Sequence, residues 1–347
     1  MDKAVLKGGI VGCGAITQAA HMPAWRHTKG VSIVSVCDQK IEVAKEIARR
    51  WGISKVYDDS SKMLQSEKLD FVDICTPPAT HYKLSIEAME AGLHVLVEKP
   101  MATGLSAADE MVSASKKHGV KLCVAHNFLF TPVIQAASSL VASGAIGKLL
   151  AIEGHDLLAT SKVLKGERHW SYDLPGGVFG EHSPHLIYLG AAFLGKIKSV
   201  RAVARKYGEF PGMKADELKV LVEAEKGLGV FTNSFNSSKF SFTLDIYGTD
   251  GRLHIDNVKQ TIIHIRSRSN RTHALVWDQL DLAFQMLAGA AYVSIQSLLG
   301  RKWYKIGQYA LFEKFVESVQ DNLTPPVTGE DGRENVRVLQ EVWSQIG

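Results

Sequence analysis

The chain has 347 residues, of which 46% are hydrophobic and 22% charged, a composition typical of globular proteins. This length suggests two domains and an ample core. The formal net charge of +4 is small and argues against a nucleic-acid-binding protein, which would concentrate basic residues on one face.

The first part of the chain alternates short apolar runs with amphipathic, helix-like stretches. The apolar runs are residues 9–11, 31–37, 69–75, 93–97 and 120–125. The helix-like stretches at 41–51, 80–91 and 109–118 are each followed by a glycine, which is a helix stop signal. Near-continuous apolar strands alternating with helices predict a parallel sheet covered on both faces. Residues 1–125 are therefore expected to form a doubly wound, Rossmann-type α/β domain.

The pattern changes after residue 125. A helix is predicted at 131–143, a strand at 149–157, a glycine-rich helix near 176–195, and two last helices at 303–320 and 330–345. Longer strands of period-two character are predicted at 200–207, 218–225, 229–235, 243–247, 253–256 and 261–266. This run of strands predicts a second domain, residues 126–347, of α+β class with a large, mostly antiparallel open sheet. An exposed sheet of this kind commonly pairs subunits, so a homodimer or homotetramer is expected.

Two stretches near the C-terminus have competing explanations. Residues 282–300 carry no charge and approach the length of a membrane span. Polar residues interrupt them, so a buried or subunit-interface helix is favoured over a membrane-surface helix, and no span is predicted. The basic residues Arg266, Arg268 and Arg271 surround Ser-Asn and are interpreted as a solvated hairpin turn rather than a binding patch.

The cysteines and the N-terminus indicate a reducing compartment. The four cysteines show no close pair with metal-ligand spacing and are interpreted as small buried thiols. No signal peptide is apparent at the N-terminus, so a cytoplasmic protein is expected. No metal site is predicted.

A glycine-rich turn, Gly12-Cys13-Gly14-Ala15-Ile16-Thr17, follows the first strand and opens a helix. It matches a dinucleotide-binding fingerprint in which Thr17 replaces the third glycine. The glycines permit a tight turn and let the backbone, including Ala15 and Ile16, approach a pyrophosphate at the helix N-terminus. Alone, the motif fits a purely structural glycine turn equally well.

Asp38 ends the second apolar run and gives the glycine turn its context. An acid at this place can accept a hydrogen bond from a ribose 2′-hydroxyl, and it would repel a 2′-phosphate. NAD is therefore the expected cofactor, and NADP is disfavoured. The alternative is that Asp38 only caps the next helix.

The stretch after the next major strand could form one wall of the same crevice, because ligands bind beyond the carboxyl ends of parallel strands. Two prolines stiffen it, so it could face the nicotinamide ribose. A simple helix-entry turn is the alternative. The residues concerned are Thr76, Pro77, Pro78 and His81.

Glu98-Lys99-Pro100 closes another apolar strand and is expected to face the same crevice. A lysine there could polarise a substrate hydroxyl or relay its proton. The residues alone fit a surface ion pair between Glu98 and Lys99 equally well.

The stretch Gly176-Gly177-Val178-Phe179-Gly180-Glu181-His182-Ser183-Pro184-His185 adds an acid and a histidine four residues apart. On a helix, Glu181 and His185 share one face. A histidine that titrates near neutral pH can take a hydroxyl proton, and a carboxylate one turn away can orient it. A lone histidine on an apolar helix is, however, more often a satisfied core residue.

In combination, these motifs resemble the glucose-fructose oxidoreductase, inositol dehydrogenase and rhizopine-catabolism (Gfo/Idh/MocA) family of NAD(P)-dependent oxidoreductases. The resemblance covers essentially the whole chain, with the motifs in the family's order. It rests on VGCGAI, CTPPATH, VEKP, the GG-x3-E-x3-H stretch, YGTDGRL and PPVTGEDG. It implies hydride transfer between NAD and a secondary alcohol or ketone of a sugar, polyol or sugar derivative.

The resemblance also implies roles for single residues. Lys99 would lie beside the nicotinamide and hydrogen-bond the reacting oxygen, His185 would be the general base, and Glu181 would position the substrate or His185. Glu98 and Asn127 would join the cofactor site. Three departures leave the substrate open. Glu181 replaces the usual aspartate, and the other two changes are Ser183 for glycine and Leu129 for an arginine.

Other polar residues of the second half are candidates for substrate contact. His155, Arg168 and Trp170 precede the glycine-rich helix and could clamp sugar hydroxyls or a phosphate, or could be structural. Two alternative functions keep the fold. One is NAD-dependent glycoside cleavage with transient oxidation, and the other is a non-catalytic, dinucleotide-binding regulator.

Overall fold

The structure, a computed structural model, describes residues 3–159, 170–208, 212–266, 272–298 and 303–346. The chain divides into two compact units that are not continuous in sequence. Unit 1 comprises Met1–Asn127 and Gln308–Arg337, and unit 2 comprises Phe128–Gly307 and Val338–Gly347.

The segment Gln308–Arg337, grouped by sequence with the second domain, packs within unit 1. Thr328 forms an isolated β-bridge with Cys123, and Gly332 approaches Val124 and Met101 so closely that an added Cβ would overlap them. No local pattern predicts contacts between residues this distant in sequence. The functional assignment of the two predicted domains stays a prediction.

Unit 1 is built on a six-stranded parallel sheet with strand order β3-β2-β1-β4-β5-β6. The strands are β1 Leu6–Val11, β2 Val31–Cys37, β3 Lys55–Tyr57, β4 Phe71–Ile74, β5 His94–Val97 and β6 Leu122–Val124. This is the predicted Rossmann topology. Since the strand order reverses at β1, a ligand crevice is expected at the carboxyl ends of β1 and β4.

The helices of unit 1 are α1 Met22–His27, α2 Ile41–Trp51, α3 Ser60–Ser66, α4 His81–Glu90 and α5 Leu105–His118. The predicted helices are present as α2, α4 and α5, although α5 begins four residues earlier than predicted, and no bounds were predicted for α1 or α3. Both α2 and α5 end at a glycine in the left-handed region, Gly52 at φ 72° and Gly119 at φ 64°, where a side chain would be strained.

Unit 2 is built on a seven-stranded sheet with strand order β13-β12-β11-β7-β10-β9-β8. The strands are β7 Leu149–Ala159, β8 Ile197–Arg205, β9 Glu217–Ala224, β10 Leu228–Ser237, β11 Ser241–Gly248, β12 Gly251–Asp256 and β13 Thr261–Arg266. Only β7 and β10 pair in parallel, and the other neighbours are antiparallel. The predicted fold class is confirmed for both sheets.

One face of this second sheet is covered by helix α7, Phe179–Leu194, which follows α6, Pro132–Ala142. A Cβ added at Gly190 of α7 would overlap the ring of Phe231 on β10. One added at Gly154 of β7 would lie 2.8 Å from Leu186 of α7. These glycines permit the close approach of helix and sheet that positions the polar residues of α7.

Helix α8, Thr272–Leu298, is not buried within the chain. Phe284 and Leu287 are each 70% exposed and Leu298 is 87% exposed. Residues 282–300 were expected to form either a buried helix or a subunit-interface helix. Burial in the chain's own core is therefore wrong, and the interface explanation stays a prediction. Among the described residues, no helix is both long and apolar enough to cross a membrane.

The interpretation of Arg266, Arg268 and Arg271 as a hairpin turn is also wrong. Strand β13 ends at Arg266, and the next described element is α8 rather than a further strand. Arg266 pairs with Asp281 of α8, with Nη1 3.0 Å from Oδ2. Arg268 and Arg271 lie outside the described residues. Two further helices, α9 Trp303–Gln320 and α10 Gly329–Ile346, complete the chain.

All four cysteines are free and buried. Burial raises the pKa of Cys37, Cys75 and Cys123 to about 12 and that of Cys13 still further. The thiols are therefore protonated and unreactive near neutral pH.

Candidate active site

The glycine turn after β1 has the geometry that its sequence predicts. Gly12 has φ 95°, and an added Cβ would lie 2.8 Å from the backbone of Cys75 and Thr76, so only glycine fits. At Gly14 an added Cβ would meet nothing within 4 Å. Thr17 is fully buried, and its hydroxyl donates a 2.7 Å hydrogen bond to Gly12 O. Thr17, which replaces the third glycine of the fingerprint, thus links the end of the turn to its beginning through this hydrogen bond.

Replacing Thr17 by valine should lower the free energy of unfolding by about 1 kcal/mol, because the shape is kept and the hydrogen bond is lost. Urea unfolding would measure the change. Thr28→Val is a matched control, since Thr28 Oγ1 bonds Ala24 O at 2.9 Å, and that oxygen also accepts the backbone N–H of Thr28. An equal loss in both variants would argue against a special role for the Thr17 bond.

Asp38 connects the end of β2 with the glycine turn. Its Oδ2 accepts the backbone N–H of Cys13 at 2.8 Å, and its Oδ1 accepts that of Lys40 at 2.9 Å. A carboxylate offers about four acceptor positions, so each oxygen can accept a further hydroxyl. Asp38 therefore does more than cap the following helix, and its half-buried carboxylate is oriented beside the turn.

A cleft of about 640 Å³ opens beside these groups, within the size range of cofactor sites. Its lining includes Gly12, Gly14, Asp38, Thr76 and Pro77. The residues predicted from three separate loops therefore meet, and they fit a dinucleotide. The fit rests on the turn that a Cβ would fill and on the oriented acid.

Helix α4 contributes a wall of the cleft that the motif search missed. Its lining residues Lys83, Leu84 and Glu87 recur at helical spacing, so they share one face. That periodicity was the available signal. Of the other predicted cofactor residues, Ile16 is 40% exposed, whereas Pro78 and Asn127 are buried.

His81 is fully buried, and it ties two of the predicted loops together. Its Nδ1 lies 2.9 Å from Pro100 O and its Nε2 lies 2.7 Å from Thr76 O. Burial lowers the pKa of His81, so the neutral ring donates to one carbonyl at a time near neutral pH. Any effect of His81 on a cofactor is exerted through the positions of Thr76 and Pro100.

Glu98 and Lys99 separate at the end of β5. The Glu98 side chain turns inward and is buried, with Oε1 2.7 Å from His21 Nε2 and Oε2 accepting the backbone N–H of Lys99 at 3.0 Å. Lys99 is half-buried, and a cis peptide bond joins it to Pro100. The pair is therefore not a surface ion pair.

His126 follows β6 and is 1% exposed. Burial lowers its pKa from 6.5 to about 3. Between these two pH values the unfolded chain binds a proton at His126 that the folded chain does not. The free energy of unfolding should therefore fall as the pH drops through this window, by up to about 1.4 kcal/mol per pH unit. Above pH 6.5 His126 is neutral in both states, so it no longer lowers the free energy of unfolding.

Urea unfolding between pH 4 and 7 would test this, with His126→Gln compared with the unchanged chain at each pH. The variant's free energy should depend less steeply on pH, whatever its absolute value. Identical slopes in the two proteins would contradict the assignment.

The glycine pair before α7 lets that helix begin abruptly. Gly176 and Gly177 have φ 75° and 59°, and a Cβ at Gly176 would lie 2.5 Å from the Trp343 ring. The helix continues through Pro184, so Glu181 and His185 lie one turn apart on it, as predicted. Both are half-buried.

His185 is held in place by two aromatic residues of unit 2. Its ring stacks on Phe128 with centroids 4.2 Å apart, and its Nδ1 lies 2.7 Å from the Tyr188 hydroxyl, which also accepts the Phe128 N–H. If Nδ1 carries the hydrogen and donates to Tyr188, Nε2 is left as a proton acceptor. The arrangement is thus compatible with a general base.

A polar group beneath α7 was not predicted. Asp156 on β7 is 2% exposed, and its Oδ2 lies 3.4 Å from His182 Nδ1 and 3.5 Å from Asn233 Nδ2. Ser183 donates to Asn233 Oδ1 at 2.8 Å. His182 and Ser183 belong to the glycine-rich stretch, whereas Asp156 and Asn233 are distant from it in sequence and belong to no motif. Only the strand register, which pairs Asn233 with Asp156, brings them together.

The three residues predicted to contact substrate are not all brought together with Glu181 and His185 in the described part of the chain. His155 neighbours Asp156 on β7, so its side chain lies on the opposite face of the sheet from α7. Trp170 is 38% exposed on a short 3₁₀ turn, Trp170–Asp173. Arg168 lies outside the described residues.

A parallel sheet of Rossmann order with a glycine turn and an oriented acid defines a dinucleotide-binding protein. The chain belongs to the Gfo/Idh/MocA oxidoreductase family. Residues 6–126 match the family's NAD-binding Rossmann fold, and residues 134–254 match its C-terminal domain. The predicted family, NAD cofactor and oxidoreductase class are thereby confirmed.

Individual relatives include sugar and polyol dehydrogenases. D-apiose dehydrogenase of Paraburkholderia graminis is 40% identical over 141 residues, which cover 41% of this chain and only 37% of that protein. Myo-inositol 2-dehydrogenase of Thermotoga maritima is 25% identical, with 94% of this chain and 91% of that one covered. The WlbA dehydrogenase from Bordetella pertussis, solved with NADH and UDP-GlcNAcA, shares the fold at a TM-score of 0.82 and 18% identity, covering 99% and 96% of the two chains.

Proposed function

We propose that the protein is an NAD-dependent dehydrogenase that moves a hydride between nicotinamide and a secondary alcohol or ketone of a sugar, polyol or sugar derivative. The observation that carries the proposal is the cleft in which Gly12, Gly14, Asp38 and Thr76 converge. The names of the apiose and inositol dehydrogenases support the substrate class.

The proposed roles follow from the chemistry of each side chain. The backbone at Gly12 and Gly14 holds the pyrophosphate, and Asp38 accepts a ribose hydroxyl. Bound NAD supplies the hydride chemistry. His185 takes the substrate hydroxyl proton at Nε2 while Nδ1 donates to Tyr188, and Lys99 donates a hydrogen bond to the reacting oxygen.

Substrate choice depends on residues in which the chain departs from its family. Glu181 is one methylene longer than the usual aspartate, so we assign it to orienting the substrate or His185. Leu129 replaces a frequent arginine by an apolar side chain, which favours an uncharged substrate near that position over an anionic one.

The first test is a fluorescence titration with NADH and with NADPH, beside an absorbance spectrum of the untreated protein. Saturable NADH binding with weak NADPH binding supports the proposal, and a panel of sugars and polyols with NAD would then be screened for NADH formation. Failure of both nucleotides to bind, with none copurified, would overturn the proposal. A copurified cofactor that does not exchange would favour the glycoside-cleaving route.

We also propose a homodimer or homotetramer in the cytoplasm. The open face of the second sheet supports assembly, because Val203, Leu221 and Val230 are exposed on neighbouring strands, and Leu221 and Val230 are directly opposite each other. Light scattering would give the mass, and Leu221→Lys should lower it to that of the 38.0 kDa monomer. A monomeric mass for the unchanged protein would contradict the assembly.

A further inference from the structure

A group of buried polar side chains lies at the carboxyl ends of β4 and β5. His21 is its centre and is fully buried, with Nδ1 2.8 Å from Asp73 Oδ2 and Nε2 2.7 Å from Glu98 Oε1. Asp73 Oδ2 also accepts the Trp25 indole N–H at 2.6 Å, and Cys75 Sγ lies 3.1 Å from His21 Nδ1. Neither His21 nor Asp73 belongs to any motif of the proposed mechanism.

The distances in this group are those of hydrogen bonds rather than of metal ligation. The donor atoms of His21, Asp73 and Cys75 all lie within 4.8 Å of one another. Two ligands of one tetrahedral ion with bonds near 2.0–2.1 Å are about 3.3 Å apart, whereas Nδ1 and Oδ2 are in direct contact at 2.8 Å. Asp73 Oδ2 is moreover already shared with the Trp25 N–H.

Both ring nitrogens of His21 face carboxylates, and only an imidazolium can donate to both. Burial alone would lower the pKa of His21, but the charge of Asp73 and the hydrogen bonds of Asp73 and Cys75 outweigh it and raise the pKa well above its ordinary value. Burial alone would raise the pKa of Glu98, and the hydrogen bond and charge of His21 reverse this and lower it. The group is therefore an ion triad, carboxylate–imidazolium–carboxylate.

The backbone before His21 explains how its ring reaches this position. Residues Thr17–His21 form one π-helical turn, which adds a residue to the turn and rotates the side chains that follow. The same turn begins at Thr17, whose hydroxyl closes the glycine turn. Phe312 packs edge-on against the His21 ring at 5.1 Å, which excludes water from the triad.

We propose that His21 is a positioning residue for hydride transfer: as an imidazolium held by Asp73, it fixes Glu98, whose Oε2 holds the backbone N–H of Lys99. The argument rests on the proposed function, because Lys99 is there the donor to the reacting oxygen. The triad acts on Lys99 only through the hydrogen bond from the Lys99 backbone N–H to Glu98, and it does not contact the substrate. A misplacement of about 1 Å in a group that contacts the reacting atoms can cost about 100-fold in rate.

Replacing His21 by glutamine should lower kcat about 10- to 100-fold and change the KM for NAD less than about threefold, because the nucleotide's adenosine end is held elsewhere. His254→Gln is the matched control. His254 pairs with Asp245 at 3.0 Å across β11 and β12 at a partly exposed position, and its loss should leave kcat unchanged. Equal effects of the two variants on kcat would overturn the proposal.

Asp73→Asn separates positioning from a merely structural role through the pH profile. Without the Asp73 charge the His21 pKa falls, so the plot of kcat against pH should acquire a descending limb as the pH rises through the lowered His21 pKa. Several titratable or charged groups interact electrostatically with the triad. Cys75 interacts with all three members, Cys123 interacts with Asp73, and Glu98 interacts with His81, Lys99 and His126. A profile identical to that of the unchanged protein would contradict the assignment.

The triad can be tested without activity and without a destabilising variant. Nitrogen-15 spectra of histidine-labelled protein, which has 13 histidines, should show one ring with both nitrogens protonated at pH values well above the ordinary histidine pKa of 6.5. Loss of that signal in His21→Gln assigns it. No such ring would overturn the proposal even if the enzyme is an active dehydrogenase. If dehydrogenase activity is not found, a surviving imidazolium signal shows that the triad is intact and that the proposed function is at fault.

Discussion

Replacing Lys99 by methionine should lower kcat by about 10²- to 10⁴-fold, the usual contribution of a positioned proton donor or acceptor. Methionine keeps the length and apolar stem of the side chain and removes the ammonium. The half-buried position of Lys99 at the end of β5 supplies the physical reason, since Glu98 holds its backbone N–H beside the loops that line the cleft. The KM for NAD should change little. Steady-state kinetics at saturating NAD, on the sugar or polyol identified by screening, would measure the effect.

Lys116→Met is a suitable control, because Lys116 is an exposed residue of α5 paired with Glu330 at 2.7 Å. It should retain full activity. Retention of more than about half of kcat in Lys99→Met would exclude the proposed role, since general catalysts contribute far more than twofold.

Replacing Asp38 by serine should weaken NAD binding about 10- to 100-fold, the cost of one or two hydrogen bonds to a charged acceptor. It should also raise the relative affinity for NADP, because the carboxylate that would repel a 2′-phosphate is gone. Fluorescence titration with NADH and NADPH measures both changes in one experiment.

Two further variants separate charge from hydrogen bonding in this cleft. Asp38→Asn keeps the size of the side chain and removes the charge, so it should recover part of the NADPH affinity at a smaller loss of NADH affinity. Asp59→Asn removes a carboxylate that lines the same cleft but caps α3 through Ser61 N at 2.8 Å. An equal shift in nucleotide preference in Asp59→Asn would mean that general charge, and not the ribose contact, sets the selectivity.

Local patterns predicted most of the fold. The helix at 41–51 coincides with α2, because its apolar period and its terminal Gly52 are both local signals. Strand β3 was not predicted, since its three residues are too few to show a period. The hairpin expected after β13 was wrong because turn-forming residues before a helix and before a strand look alike in sequence.

The candidate site likewise contains some residues that local motifs predicted and others that only the folded chain brings together. Gly12, Gly14 and Asp38 were predicted because their spacing is part of a motif, and parallel strands bring such loops to one edge. Glu98 was predicted to face the cofactor but turns inward to His21, a residue that is 77 positions away. Likewise, Asp156, His182 and Asn233 meet only through strand register. Side chains that act on one another across a core leave no period in the sequence, and so only the structure reveals them.

Because its four thiols are protonated and buried, the folded chain should not react with maleimides or iodoacetamide at neutral pH. A single cysteine introduced on an exposed surface would then take a fluorophore or spin label alone, with no native cysteine to be removed first. Trp277 on α8, which is 63% exposed, is one such position. A dye at Trp277→Cys would report directly whether that apolar helix becomes covered when the concentration of the protein is raised.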